Sequence, residues 1–375
     1  MKVYTLTWYR GNNYGSVLQA YALPVFIRSL GYECENIAYQ PDRLTQWKLK
    51  FINHSIKETI EYKINEWFMR RKGQGFGRVT NNLELFDDFR RDKMIITNKC
   101  SSAQDILSFC DRSSVFVCGS DQVWNPYFYD PVYYLEFVED KKKKIAYAPS
   151  FGVEHLPKYA VNRIKNALLR FGEISVREQQ GVQIVEELTG KHSSTAVDPT
   201  LLLSVREWDD LAILPNEVEP YIFCYFLSNN TEYYEIAKKM SAKYGLKIVM
   251  LPMVAADFLK RETINEPVGP QEWLGLMKNA ELILTDSFHC TLFAIRYHKQ
   301  FYVFQRFSST DKRGQNSRIN SLLELVSLQE RLIVSGSSYS QKRISGDSFA
   351  EADRKLKEKI EGSKKWLGAA LKRAE

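Results

Sequence analysis

No run in this 375-residue chain approaches the roughly 20 consecutive apolar residues that a membrane-spanning helix needs. Cysteine is sparse, with six residues (Cys34, Cys100, Cys110, Cys118, Cys224 and Cys290) and no Cys-x-x-Cys pair. Most of them lie within apolar runs, so they read as free, buried thiols in a reducing compartment, which argues against a zinc site. The five histidines, His54, His155, His192, His289 and His298, form no metal-ligand spacing, and no metal is expected. The first apolar run begins at Lys2 with no signal-peptide pattern before it, so the expected location is the cytoplasm. There is no internal repeat and no low-complexity tract. No basic stripe interleaved with aromatics runs through a nucleic-acid-binding motif, so no nucleic-acid partner is expected. The net charge of +7 is a mild and partly local basic excess, gathered at Lys141–Lys144, at Arg70–Lys72 and near the C-terminus. Solvated surface is its plain reading, and attraction to an anionic substrate or to the inner face of a membrane is the sharper one.

What the chain does have is alternation. "KVYTLTWY", "VFVCGS", "KIAYAPS", "EISVRE" and "STAVDP" read as strands in the first half, and "YIFCYFLS", "KIVMLP", "ELILTDS" and "QFYVFQ" in the second. Helical patterns fill 15–30, 157–170, 178–189, 231–244, 271–279, 288–298 and 317–326. This order predicts an α/β protein with parallel sheets covered on both faces. Two such series predict two Rossmann-like, doubly wound domains. The Pro-containing, charged stretch "LAILPNEVEP" (Leu211–Pro220) sets the boundary, giving domains at 1–213 and 214–345. A helix over 346–375 is placed to cross back to the first domain. Residues 40–92 break the alternation with a basic amphipathic segment carrying Trp47, Phe51, Trp67, Phe68 and Met69. Helices capping the first domain are the plain reading, and a surface that leans on a membrane or partner is the alternative. "GQGFGR" at 73–78 mimics a dinucleotide fingerprint, but it follows a helix pattern rather than a strand.

In an open parallel sheet, ligands bind beyond the carboxyl ends of the strands. Polar and glycine residues collect there after strand upon strand. The loop "GNNYGS" opens a helix whose first N–H groups lack intrahelical partners, which suits an anion or a sugar hydroxyl. Asn12, Tyr14 and Gly15 are therefore candidate binding residues, as are Ser120 and Ser150 after later strands. His289 falls in the first turn of a helix, where the dipole opposes a positive ring and favours a neutral, catalytic imidazole. Asp286 or Ser287 is expected to cap that helix. The plain alternative is a histidine that merely hydrogen-bonds. Arg177, where a strand meets a helix, is oriented to fork onto a carboxylate or phosphate, unless it pairs with Glu178. Asp121 is a candidate general base or hydroxyl anchor, against an Asx-type cap. Trp124 either stacks on a sugar or fills core. Arg306, Arg313 and Arg318 lie in or beside a polar loop that either closes over a ligand or stays solvated.

The motifs "NYGSVLQAYAL", "VCGSDQVWNP", "IAYAPSFG", "SVREQQG", "VDPTLLL" and "LTDSFHCTLFAI", in this order, resemble the polysaccharide pyruvyl transferase family. The resemblance implies two Rossmann-like domains facing a cleft, as in B-type glycosyltransferases. It also implies transfer of the pyruvyl group of phosphoenolpyruvate onto two hydroxyls of a sugar or lipid-linked oligosaccharide, without a further cofactor. Arg177 matches an arginine that resembles a phosphoenolpyruvate anchor, and His289 a histidine implicated in donor binding and catalysis. Many relatives carry Arg-x-His where this chain has Ser287-Phe288-His289. Ser287 thus replaces a donor-binding cation, which Arg318 or Arg313 is expected to supply if the donor is the same. Two other readings share these residues: a nucleotide-sugar glycosyltransferase of B type, and a non-catalytic glycan-binding relative.

Overall fold

The computed structural model describes residues 1–53, 82–215, 219–254, 257–258, 260–307 and 316–375. Most of the 40–92 segment, including 73–78, and Arg313 in the later loop lie outside the described residues. Two units emerge. Among the described residues, one comprises 1–53, 90–203 and 359–375, and the other 82–89 and 204–358.

The first unit is built on seven strands: β1 (Lys2–Leu6), β2 (Glu33–Tyr39), β3 (Ile96–Cys100), β4 (Val115–Cys118), β5 (Lys144–Ala146), β6 (Glu173–Val176) and β7 (Ser194–Thr195). They form one parallel sheet in the order β3-β2-β1-β4-β5-β6-β7, with Leu6 paired to Cys118 at its centre. The second unit carries β8 (Tyr221–Tyr225), β9 (Lys247–Leu251), β10 (Leu282–Thr285), β11 (Gln300–Phe304) and β12 (Leu332–Ile333). These are also all parallel, in the order β12-β11-β10-β8-β9. Both orders wind outward in two directions from one internal pair, β1/β4 or β8/β10. Right-handed crossovers on either side of such a pair place helices on both faces. The expected fold class is therefore the observed one.

β2, β3 and β12 were not expected from sequence, and the reason is chemical. "ECENIAY" is interrupted by acidic residues and by Asn36, which is fully buried and accepts a hydrogen bond from Thr5 Oγ1 at 3.1 Å. "ITNKC" is a polar edge strand, and β12 has only two residues.

Burial settles one open reading and corrects one surface reading. Trp124 is core, stacked on Tyr134 with ring centroids 5.5 Å apart. Of the lysine run at 141–144, Lys144 points inward from β5 and is fully buried. Among the described residues its Nζ has no hydrogen-bond partner, and it lies 5.1 Å from the Phe171 ring centroid. Burial lowers its pKa to about 8, with the charge of Arg170 acting in the same sense. The long helix Gly346–Arg373 enters the first unit from Lys359 onward. There Arg373 reaches Glu173 at 2.6 Å and Ser363 Oγ accepts from the Val197 N–H at 3.0 Å.

Candidate functional site

A sheet that winds two ways leaves a crevice beyond the carboxyl ends of its central pair. In the first unit those ends are Thr7, after β1, and Gly119-Ser120-Asp121, after β4. Gly119 has a φ of +114°, and a Cβ there would lie 2.2 Å from the Tyr147 carbonyl oxygen. Only glycine fits that turn. Thr7 Oγ1 donates to the Ser120 carbonyl at 2.7 Å. Gln19, fully buried in the helix Tyr14–Ser29, donates through Nε2 to Thr7 Oγ1 at 3.0 Å and accepts from the Ser120 N–H at 3.2 Å. Ser16 Oγ donates to Asp121 Oδ2 at 2.5 Å, and Asp121 Oδ1 accepts from the Gln122 N–H at 2.9 Å. Both carboxylate oxygens of Asp121 are thus engaged in holding the two central loops together.

Arg177 comes to the same place from the end of β6. Its Nη2 donates to Ser120 Oγ at 2.6 Å and pairs with Asp198 Oδ2 at 2.8 Å, the two side chains being 4% and 0% exposed. The ion-pair partner is therefore Asp198 rather than Glu178. Glu178 instead braces the loop after β5, its Oε1 accepting from Ser150 Oγ at 3.0 Å and from the N–H groups of Phe151 and Gly152 at 2.9 and 3.2 Å. Asp198 also holds its own turn, with Oδ1 accepting from Thr200 N and Oγ1. The opening loop is fixed from two sides. Asn13 Oδ1 caps the Tyr14–Ser29 helix by accepting from Ser16 N at 3.1 Å. Arg90 donates to the carbonyls of Tyr9, Arg10 and Gly11 and to Asn12 Oδ1. Tyr14 and Gly15 are buried in the first helical turn. Asn12, Ser120, Asp121, Ser150 and Arg177 are thus all brought to the carboxyl edge of this sheet.

The second unit repeats the plan with different chemistry. Asp286, after β10, accepts from the Leu227 N–H at 2.6 Å, the Ser228 N–H at 3.0 Å and the Ser228 hydroxyl, all after β8. Burial raises its pKa, while the charge of Arg306 and these donors act the other way. The helix Phe288–Arg296 is capped by Ser287, whose Oγ accepts from Cys290 N at 3.4 Å. Of the two expected caps, Ser287 serves the helix and Asp286 the neighbouring loop. His289 is 6% exposed, and its ring meets Phe288 edge-on with centroids 5.3 Å apart. The Arg318 guanidinium lies 5.6 Å from the centroid of that same Phe288. Phe288 therefore joins the histidine to an arginine distant in sequence. His298 plays another part: Nε2 meets Asp353 at 2.8 Å and its ring stacks on Phe349.

Sequence reasoning missed Gln19, Arg90 and Asp198. Gln19 carries a signal, as a lone amide among the buried Val17, Leu18 and Ala20. Asp198 carries another, as Asp-Pro at the start of a turn. Arg90 acts through carbonyls about 80 positions away, and nothing local marks it. Among the described residues no group of three His, Cys, Asp or Glu side chains is arranged to hold a metal. No helix there is long and apolar enough to cross a membrane.

Comparison with solved structures finds likenesses that extend over the whole chain but are loose. UDP-GlcNAc 2-epimerase from Neisseria meningitidis aligns with 98% of this chain and 94% of its own, at 9% identity and a TM-score of 0.47. The UDP-GlcNAc 2-epimerase of Methanocaldococcus jannaschii aligns over 95% and 92%, at 11% identity and a TM-score of 0.46. The glycosyltransferase VinC, solved with dTDP, aligns over 100% and 99%, at 10% identity and a TM-score of 0.45. A search of curated proteins returns no match. A family model described as polysaccharide pyruvyl transferase matches residues 13–308. That span takes in the turns at Gly119–Asp121 and Asp286, the Arg177–Asp198 pair and the His289 helix, and the chain belongs to the polysaccharide pyruvyl transferase family.

Proposed function

We propose that this protein transfers the pyruvyl group of phosphoenolpyruvate onto two hydroxyls of a sugar acceptor, as a cyclic ketal, during assembly of a capsule, exopolysaccharide or cell-wall glycan. The family match over 13–308 carries the reading. The convergence of its motif residues on the carboxyl edges of the two sheets supports it. The donor's methylene carbon takes a proton, leaving a cation at the carbon that bears the phosphate. One acceptor oxygen adds there, phosphate departs, and the second acceptor oxygen closes the ring. Of the two hydroxyl protons, one ends on the new methyl group and the other on phosphate, so the reaction balances without a redox cofactor.

Each step needs a group in a fixed place. Arg177, locked in orientation by Asp198 and Ser120, serves as an anchor for the anionic donor. Arg318, lying over Phe288, supplies the cation that Ser287 lacks. His289 moves a proton between acceptor and donor, a role worth about 10²–10⁴ in rate for a well-placed imidazole. The test is incubation with phosphoenolpyruvate and candidate sugar acceptors. Acceptor-dependent phosphate release, with one carboxyethylidene group gained by the acceptor, is expected. Nucleotide release from a nucleotide-sugar, with phosphoenolpyruvate left intact, would replace this reading by a glycosyltransferase.

A further inference from the structure

Among the described residues, the helix Arg43–Asn53 has one face that the first unit covers and one that it does not. Asn53 is buried, donating to the Tyr129 carbonyl at 2.8 Å and accepting from the Tyr159 hydroxyl at 2.7 Å. Arg163 Nη1 donates to the Ile52 carbonyl at 3.0 Å, so the helix is anchored at its C-terminal end. On the outer side, Leu44, Trp47 and Phe51 are 61%, 59% and 63% exposed. Their spacing of three and four puts them on one stripe, and the Trp47 and Phe51 rings touch at 4.5 Å. Arg43, Lys48 and Lys50 are exposed on the same helix, which contains no acidic residue.

Four large apolar side chains left in water on one short helix, Leu44, Trp47, Phe51 and Ile52, are unusual, and such patches mark contact surfaces. The accompanying charge selects the contact. A partner helix would ask for a dry apolar seam with charges of both signs at its rim. Here, on the helix itself, a Trp/Phe/Leu stripe is bordered by cations, the composition of a helix that lies in the plane of an anionic bilayer. We infer that this face docks the protein onto a negatively charged membrane. Trp47, Phe51 and Leu44 enter the boundary between headgroups and acyl chains, and Arg43, Lys48 and Lys50 meet lipid phosphates. The inference does not depend on the identity of the donor. It places the enzyme where a lipid-linked acceptor would be found.

The test uses the full-length protein and co-sedimentation with vesicles of 7:3 phosphatidylcholine to phosphatidylglycerol, against pure phosphatidylcholine. Binding to the anionic vesicles is expected, weakening as salt is raised and falling about fivefold for each of Lys48 and Lys50 changed to Glu or Gln. The double variant Trp47→Glu/Phe51→Glu should lose binding at least tenfold while keeping its far-UV spectrum and unfolding midpoint, because neither side chain is core. Failure of the wild-type protein to bind anionic vesicles would overturn the proposal. So would binding unchanged by the double substitution, or a dimer that the same substitution dissociates.

Discussion

Each sheet reverses its strand order once, and at each reversal an aspartate ties together the segments on either side. Asp121, after β4, reaches Ser16 in the helix that follows β1. Asp286, after β10, reaches Leu227 and Ser228 after β8. The topological problem is the same, but the surroundings differ. In the first unit the tie belongs to a network of buried side chains that includes a nearly dry ion pair, Arg177–Asp198. In the second it is made mostly to backbone N–H groups, beside a helix start that presents His289 and Phe288. A charge pair is a support that fails badly when one member is lost. In the second unit the support is hydrogen bonding, from Asp286 to backbone N–H groups and a hydroxyl and from Ser287 to the start of the helix that carries His289.

That contrast can be broken experimentally. The largest effect is expected from Asp198→Ala, which leaves the Arg177 charge buried and unpartnered by its aspartate. It should reduce stability by about 3–5 kcal/mol in denaturant titration. The apolar double variant Arg177→Met/Asp198→Leu should lose much less. A single variant as stable as the wild type would show that the network does not depend on the pair. Next is His289→Ala, expected to lower turnover by about 100-fold or more while donor affinity, read by calorimetry, stays nearly unchanged. A loss confined to affinity would move the histidine from chemistry to binding.

Lys144 supplies a smaller effect, with a definite pH signature. Its side chain titrates at 10.5 when unfolded and at about 8 in the fold. Between those values the unfolded chain binds more protons, so stability rises with pH across that window, and the full penalty applies below it. Lys144→Met should therefore gain on the order of 2 kcal/mol at pH 7, and the gain should shrink toward pH 10. A gain that is flat with pH would mean that packing, not charge, is responsible. The smallest effect belongs to the Ser287 cap. Ser287→Ala should cost about 1 kcal/mol and Ser287→Gly only a few tenths. An equal loss from both would point to a role for the hydroxyl outside capping.

The strands that form the sheet centres were legible because "VFVC", "YIFCY" and "LILT" are short apolar runs bounded by turn residues, the mark of a strand buried on both faces. Polar residues at strand ends were legible for the same reason, since the period breaks there. β2 and β3 were not. Asn36 reads as surface until Thr5 is beside it, and "ITNKC" is an edge strand with little apolar content. Lys144 was hidden by its neighbours. A run of four lysines looks solvated, and only pairing with β4 fixes which of them faces inward.

Hydrophobic periodicity alone determined that this chain makes two parallel α/β sheets and which loops lie at their carboxyl ends, because both are local properties of alternating apolar segments. Tertiary structure alone decided the partners: Asp198 rather than Glu178 for Arg177, Ser287 rather than Asp286 for the helix cap, Arg90 for the opening loop. A hydrogen bond or ion pair goes to whichever complementary group the fold brings within 3 Å or so, and neighbours in space need not be neighbours in sequence.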